Sequence, residues 1–180
     1  MRLSMRLSSP LALYRKLERE SYRAFHAKMP LHKSDHFFNF CVTAASMRDY
    51  VLEHLGMTTQ VQKQQYYETW TKVPALVAAS EIANSSKHFL LRDHNTGNAK
   101  ALRTRALRMK KSEFLDVYAN DAGATKLVKV VRSEVSVTLS DGQVLELYAF
   151  TAEVMKYWKT FLISLGLKVR RQPFAQLASG

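Results

Sequence analysis

Lys126-Leu127-Val128-Lys129-Val130-Val131-Arg132-Ser133-Glu134-Val135-Ser136-Val137-Thr138-Leu139-Ser140-Asp141-Gly142-Gln143-Val144-Leu145-Glu146-Leu147-Tyr148 breaks the period of a chain otherwise patterned for helices. From Lys126 to Leu139 the residues alternate. Val135, Val137 and Leu139 fall on one face of a strand, and Glu134, Ser136 and Thr138 fall on the other. Asp141-Gly142 is the pair a tight hairpin turn demands, because the turn needs positive φ. Val144 to Tyr148 then reads as the return strand. Upstream, Leu102 to Tyr118 alternates more loosely and supplies the first strand of a three-stranded antiparallel meander.

Outside this stretch the apolar residues recur at helical spacing. Downstream, Thr151 is read as the cap of a final helix carrying Val154, Tyr157, Trp158, Phe161, Leu162 and Leu165, with Gly166 as its stop. Upstream, Ser8 or Ser9 caps a first helix from Pro10 to near Met29-Pro30, with Leu11, Tyr14, Leu17, Tyr22 and Phe25 inward and Arg15, Lys16, Arg19 and Arg23 outward. A second helix runs from Ser34-Asp35 to Gly56 and presents Phe38, Cys41, Val42, Ala45, Leu52 and Leu55. A third spans Val61 to Thr71. A fourth starts at Pro74 and continues through Phe89 and Leu90 to the turn cluster at Asp93-His94-Asn95-Thr96-Gly97-Asn98. The expected fold class is therefore α+β, mainly a helical bundle of about five helices, with the meander inserted before the last helix. Residues 1–167 form one domain in this reading, and 168–180 a basic C-terminal tail.

Charge separates this chain from an ordinary globular sequence. Lys and Arg number 27 against 15 acidic residues, a formal net charge of +12, which favours polyanionic partners. Cys41 is the single cysteine, so an intramolecular disulfide and a cysteine-based metal cluster are both excluded. No run approaches the roughly 20 apolar residues of a membrane span. The basic N-terminus has no long apolar core or small-residue cleavage site, so the expected localisation is cytoplasmic.

Two polar stripes are candidates for chemistry. Glu81, Asn84, Ser85, His88 and Arg92 recur at spacings of three and four on the fourth helix. On the second, Asp35, Asn39, Ser46 and Asp49 do the same, with His36 and Thr43 beside them. Stripes of this kind meet inside a bundle either as a hydrogen-bonded network that sets helix register or as a site.

Ile82-Ala83-Asn84-Ser85-Ser86-Lys87-His88 resembles the motif of HEPN-domain proteins, helical-bundle ribonucleases of bacterial toxin and antiphage systems. Asn84 and His88 match its polar and histidine positions, and Ala83 stands where the family has arginine. The resemblance implies a bacterial or phage conflict system and a metal-independent ribonuclease or a degenerate, inactive relative. Because the family's site often forms across a dimer, it also implies a homodimer as one assembly. Asp35-His36-Phe37-Phe38-Asn39-Phe40 and the late tryptophan helix also look like small uncharacterised bacterial proteins of phage and mobile-element neighbourhoods. In a ribonuclease reading His88 moves the proton near neutral pH, Asn84 orients the imidazole or a phosphate oxygen, and Arg92 supplies the cation.

No metal or cofactor is implied. The six histidines are scattered without a His-Glu-x-x-His pattern, and no phosphate-cradling glycine loop or nucleophile elbow is present. The meander offers the clearer functional lead. Arg103, Arg105, Arg108, Lys110, Lys111, Lys126, Lys129 and Arg132 gather in a stretch poor in acids. Alternate strand residues sit about 6.5–7 Å apart, close to the phosphate repeat of an extended nucleic-acid strand, and Tyr118 and Tyr148 offer stacking surfaces. The expected function is a nucleic-acid-binding accessory protein for RNA or DNA. The alternatives are a ribonuclease and a protein-interaction module with an acidic partner, and a solvated or aggregation-blocking strand face is the non-functional reading. Membrane binding is not expected, since the apolar face of the first helix is needed by the core.

Overall fold

The order of elements is α1 (Pro10–His26), α2 (Pro30–His54), α3 (Gln60–Thr71), α4 (Pro74–Ser85), β1 (Leu107–Ala119), β2 (Thr125–Thr138), β3 (Val144–Glu146) and α5 (Leu147–Ser164). They are seen in a computed structural model that describes residues 8–85, 107–119, 124–139, 141–170 and 172. The described residues thus hold five helices and one antiparallel sheet of order β1-β2-β3 set before the last helix, the α+β architecture expected from the sequence. None of the described helices is long and apolar enough to cross a membrane.

Local chemistry starts and stops most helices. Ser9 Oγ accepts from the Ala12 N–H at 3.2 Å with Pro10 in the first turn of α1. Thr59 and Gln62 form a reciprocal capping box on α3. Gly56 and Gly166 follow α2 and α5, where Met57 N–H reaches Leu52 O and Leu167 N–H reaches Leu162 O in paired Schellman closures.

The inward faces differ in part from the expected ones. On α2 the buried apolar residues are Phe37, Phe40, Cys41, Ala44, Met47, Val51 and Leu52, whereas Phe38 is half-buried and Val42 exposed. Aromatic residues at 37, 38 and 40 permit two facings, and packing decides: Phe37 and Phe40 lie 5.6 and 6.4 Å from Phe150 of α5. On α1 the buried residues are Pro10, Leu13, Tyr14, Leu17, Ala24 and a carboxylate, Glu20, with Leu11, Tyr22 and Phe25 only half covered. Trp158 of α5 is buried at 5.6 Å from Trp70 of α3, joining the ends of the core.

Two boundaries differ from the expected ones. Helix α2 begins at Pro30 and not at Ser34, its first turn closed by the Lys33 N–H on Met29 O. β3 ends at Glu146 and α5 starts at Leu147, so Leu147 and Tyr148 are helical and Thr151, expected as the cap, is buried inside the helix. The cap comes from across the sheet, where Glu134 Oε1 accepts the Leu147 N–H at 3.0 Å. β1 is described from Leu107, and the expected reach of the fourth helix beyond Ser85 and of the first strand from Leu102 lies outside the described residues.

Candidate functional site

β1 and β2 form a two-stranded ribbon that pairs without a break from Leu107↔Val137 to Ala119↔Thr125, whereas β3 supports only Ser136 to Thr138. At about 3.3 Å per residue the ribbon is about 40 Å long. Glu134, Val135, Ser136 and Val137 are all buried, so the root is covered on both faces, and exposure grows toward the tip. One face of the ribbon carries Phe114, Val130 and Arg132. Phe114 meets Phe25 of α1 at 6.4 Å edge-on, and the Arg132 guanidinium lies 5.3 Å over the Phe114 ring. Tyr148, expected as a stacking surface, is exposed with its ring 5.9 Å from Phe25.

The strand cations divide between the two faces. Lys111 and Lys129 share one, while Lys110, Lys126 and Arg132 share the other. Two of them already meet carboxylates: Lys110 Nζ donates to Glu146 Oε1 at 2.7 Å, and Lys129 pairs with Glu113. Lys111 and Lys126 are exposed. Arg108 stands opposite Ser136 and Tyr118 opposite Lys126 in the register, and Arg103 and Arg105 lie outside the described residues.

Of the ribonuclease candidates, Asn84 is exposed on the last turn of α4, and His88 and Arg92 lie outside the described residues. Of the polar residues of α2, His36 and Thr43 turn to α1, whereas Asp35, Asn39 and Asp49 are exposed. Lys16 Nζ donates to Thr43 Oγ1 at 2.6 Å, and His36 Nδ1 lies 3.4 Å from Glu20 Oε2. Glu20 also takes Arg23 at 3.3 Å and Lys16 at 3.8 Å, so it gathers three basic side chains at the α1–α2 seam. Burial pushes the Lys16 ammonium below its ordinary range, and the Glu20 charge offsets this in part. On the α4 side, Ser80 and Glu81 line a half-open groove of about 340 Å³ together with Arg48, Tyr67, Trp70 and Trp158. Arg48 sits 5.6 Å over the Tyr67 ring at its mouth. Among the described residues no cluster of three or more His, Cys, Asp and Glu side chains could hold a metal ion.

A buried ionic joint at the foot of the ribbon had no local signal in the sequence. Lys33 is 1% exposed, and its ammonium donates to Ala24 O at 2.8 Å and Phe25 O at 2.9 Å, the last carbonyls of α1. A cation there answers the negative end of the helix. Glu134, 2% exposed, lies within its electrostatic reach; among the described residues its Oε2 has no hydrogen-bond partner. Burial raises the Glu134 carboxyl above its ordinary range, opposed by the Leu147 N–H and by Lys33. Burial likewise lowers Lys33, opposed by Glu134.

The chain after α5 meets α1 at Gln172. Leu167 and Val169 turn inward, Lys168 and Arg170 are exposed, and Gln172 is buried. Gln172 Nε2 donates to Arg15 O at 2.7 Å and to Glu18 Oε2 at 2.9 Å. The segment bearing Lys168 and Arg170 is thereby tied to α1 at Arg15 and Glu18. Arg19 is held below the usual guanidinium range first by burial, then by Arg23, with Arg15 adding to it and Glu20 and Glu18 opposing.

No protein-family model matches the chain, and searches of curated proteins and of solved structures return no match.

Proposed function

We propose that the protein is a nucleic-acid-binding accessory protein that grips phosphates along α1 and the segment after α5, with the ribbon cations adding contacts. The observation that carries this reading is that Gln172 ties the segment bearing Lys168 and Arg170 to Arg15 O on α1, a helix whose own arginines already crowd one another, with Arg23 and Arg15 both acting on Arg19. The nearby carboxylates are already engaged, Glu18 by Gln172 and Glu20 by Lys16, Arg23 and His36. Cations gathered at a cost in mutual repulsion are stabilised by a polyanion, which sheds its counterions on binding.

The test is a salt titration of nuclease-treated protein against labelled single-stranded RNA, single-stranded DNA and duplex DNA, with nucleic-acid integrity followed by gel. Binding is expected to weaken linearly with log salt. Each cation removed from a phosphate lowers the slope by about 0.9 on duplex DNA and about 0.7 on single strands. Arg15, Arg19, Lys168 and Arg170 changed together to Gln tests the body surface. Arg103, Arg105 and Lys126 changed to Gln tests the strands. Unaltered affinity in both sets, or no binding at low salt, refutes the reading, and RNA cleaved in a His88-dependent way replaces it with the ribonuclease.

A further inference from the structure

We propose that two copies of the chain associate by pairing their β1 strands antiparallel about a two-fold axis at Ser112. This stands on the ribbon alone and is independent of nucleic-acid binding.

β1 is the outer strand of the sheet, and among the described residues no strand lies along its far edge. It is 13 residues long, contains no proline and pairs with β2 without a bulge, so of the devices that block edge pairing it carries only charge, and that charge is of both signs. The ribbon also shows solvent an apolar face. Leu115, Val117, Leu127 and Val131 are 67, 64, 63 and 63% exposed. At the root the same face carries Val135 and Val137, both buried. Half of one stripe is therefore covered by the body of the protein and half is bare.

A second copy covers the bare half, and the order of residues along β1 says how. A two-fold at Ser112 sets residue 111 opposite 113, 109 opposite 115, and 107 opposite 117. Lys111 then meets Glu113 of the second copy and Glu113 meets its Lys111, two ion pairs by symmetry. The residue types at 108 and 116, Arg and Asp, fall opposite each other in the same register. Val117 and Leu127 at the exposed tip extend the row that begins at the buried Val137 of the other copy. Moving the axis by one residue sets Lys111 against Lys111 or Glu113 against Glu113. The charge order is thus complementary to itself in one register, which selects a second copy over an unrelated strand. Lys129, already paired with Glu113, extends the ladder outward. The surface formed by α1 and the segment after α5 takes no part in this pairing, so the dimer would present it twice.

The experiment is sedimentation of the nucleic-acid-free chain over a concentration series, with charge variants at the exposed Lys111 and Glu113 and a cysteine at the half-buried Ser112. Lys111→Glu and Glu113→Lys each turn two attractions into two repulsions and are expected to weaken association roughly ten-fold or more. The double reversal Lys111→Glu/Glu113→Lys restores it, and so does mixing the two single variants. Ser112→Cys is expected to cross-link under mild oxidation, because opposed residues of an antiparallel pair have Cα atoms about 4.5–5.5 Å apart, within the disulfide range. Lys126→Cys, off the axis, stays uncross-linked, and Cys41 is buried and does not compete. A wild type that sediments as a monomer throughout overturns the proposal. So do charge variants that associate like wild type, or a Ser112→Cys protein that cross-links no better than Lys126→Cys.

Discussion

Replacing Lys33 by methionine removes the ammonium that joins the end of α1 to the start of α2. The side chain is fully buried, and both of its hydrogen bonds go to carbonyls of the last turn of α1, at 2.8 and 2.9 Å. A hydrogen bond from a charged donor is worth about 1.5–3 kcal/mol, so two set a gross loss of about 3–6 kcal/mol. Methionine fills similar space without the cost of a buried charge, and relief of this kind returns about 1–4 kcal/mol. The net expectation is a loss of about 2 kcal/mol, since the two carbonyls stay covered and lose their donor. For a chain of this length that lowers Tm by about 4–8 °C. Chemical denaturation followed by far-UV circular dichroism measures the free energy, and a thermal scan the shift. The substitution should cost less in a Glu134→Gln background, because Glu134 then no longer needs a cation nearby. A Lys33→Met protein as stable as wild type, with no coupling to Glu134, would show that the ammonium does not secure this joint.

Two further outcomes test the fold near the ribbon. Because the Glu134 carboxyl is raised in the folded protein, the native state binds its proton more tightly than the unfolded chain does, and this group's contribution to stability falls as pH rises from its ordinary 4.5 through the raised value. Glu134→Gln keeps an acceptor for the Leu147 N–H but cannot ionise, so denaturation midpoints taken from pH 4.5 upward should show the variant gaining on wild type; parallel profiles would contradict the assignment. Gly142 has φ +86° in the turn where its N–H donates to Leu139 O, and a Cβ there would touch nothing within 4 Å. Gly142→Ala should therefore cost about 1 kcal/mol through backbone strain alone, read from the denaturation midpoint, and a neutral substitution would mean that the turn is built differently.

The sequence alone determined the class of the protein: amphipathic helical spacing, an alternating stretch and an Asp-Gly turn are signals that neighbours within a few residues impose on the backbone. Pro10, Pro74, Gly56 and Gly166 marked helix ends for the same local reason. Where partners come from far along the chain, local reading failed. Phe37 and Phe38 are equal candidates for the core until Phe150 is placed, and Leu147 reads as strand until Glu134 caps it from the other side of the hairpin. His36 and Thr43, beside the polar stripe of Asp35, Asn39, Ser46 and Asp49, could not be assigned from the sequence, and the fold turns both toward α1. Lys33 and Glu134 look like ordinary surface charges in sequence; their burial depends on where α1 ends and where α5 begins. The same holds for the candidate surfaces. The run Lys111-Ser112-Glu113 was legible, but that it lies on an edge with no further strand among the described residues, and that Gln172 returns to Arg15, are properties of the tertiary structure, because pairing and burial are set by which elements pack together and not by composition.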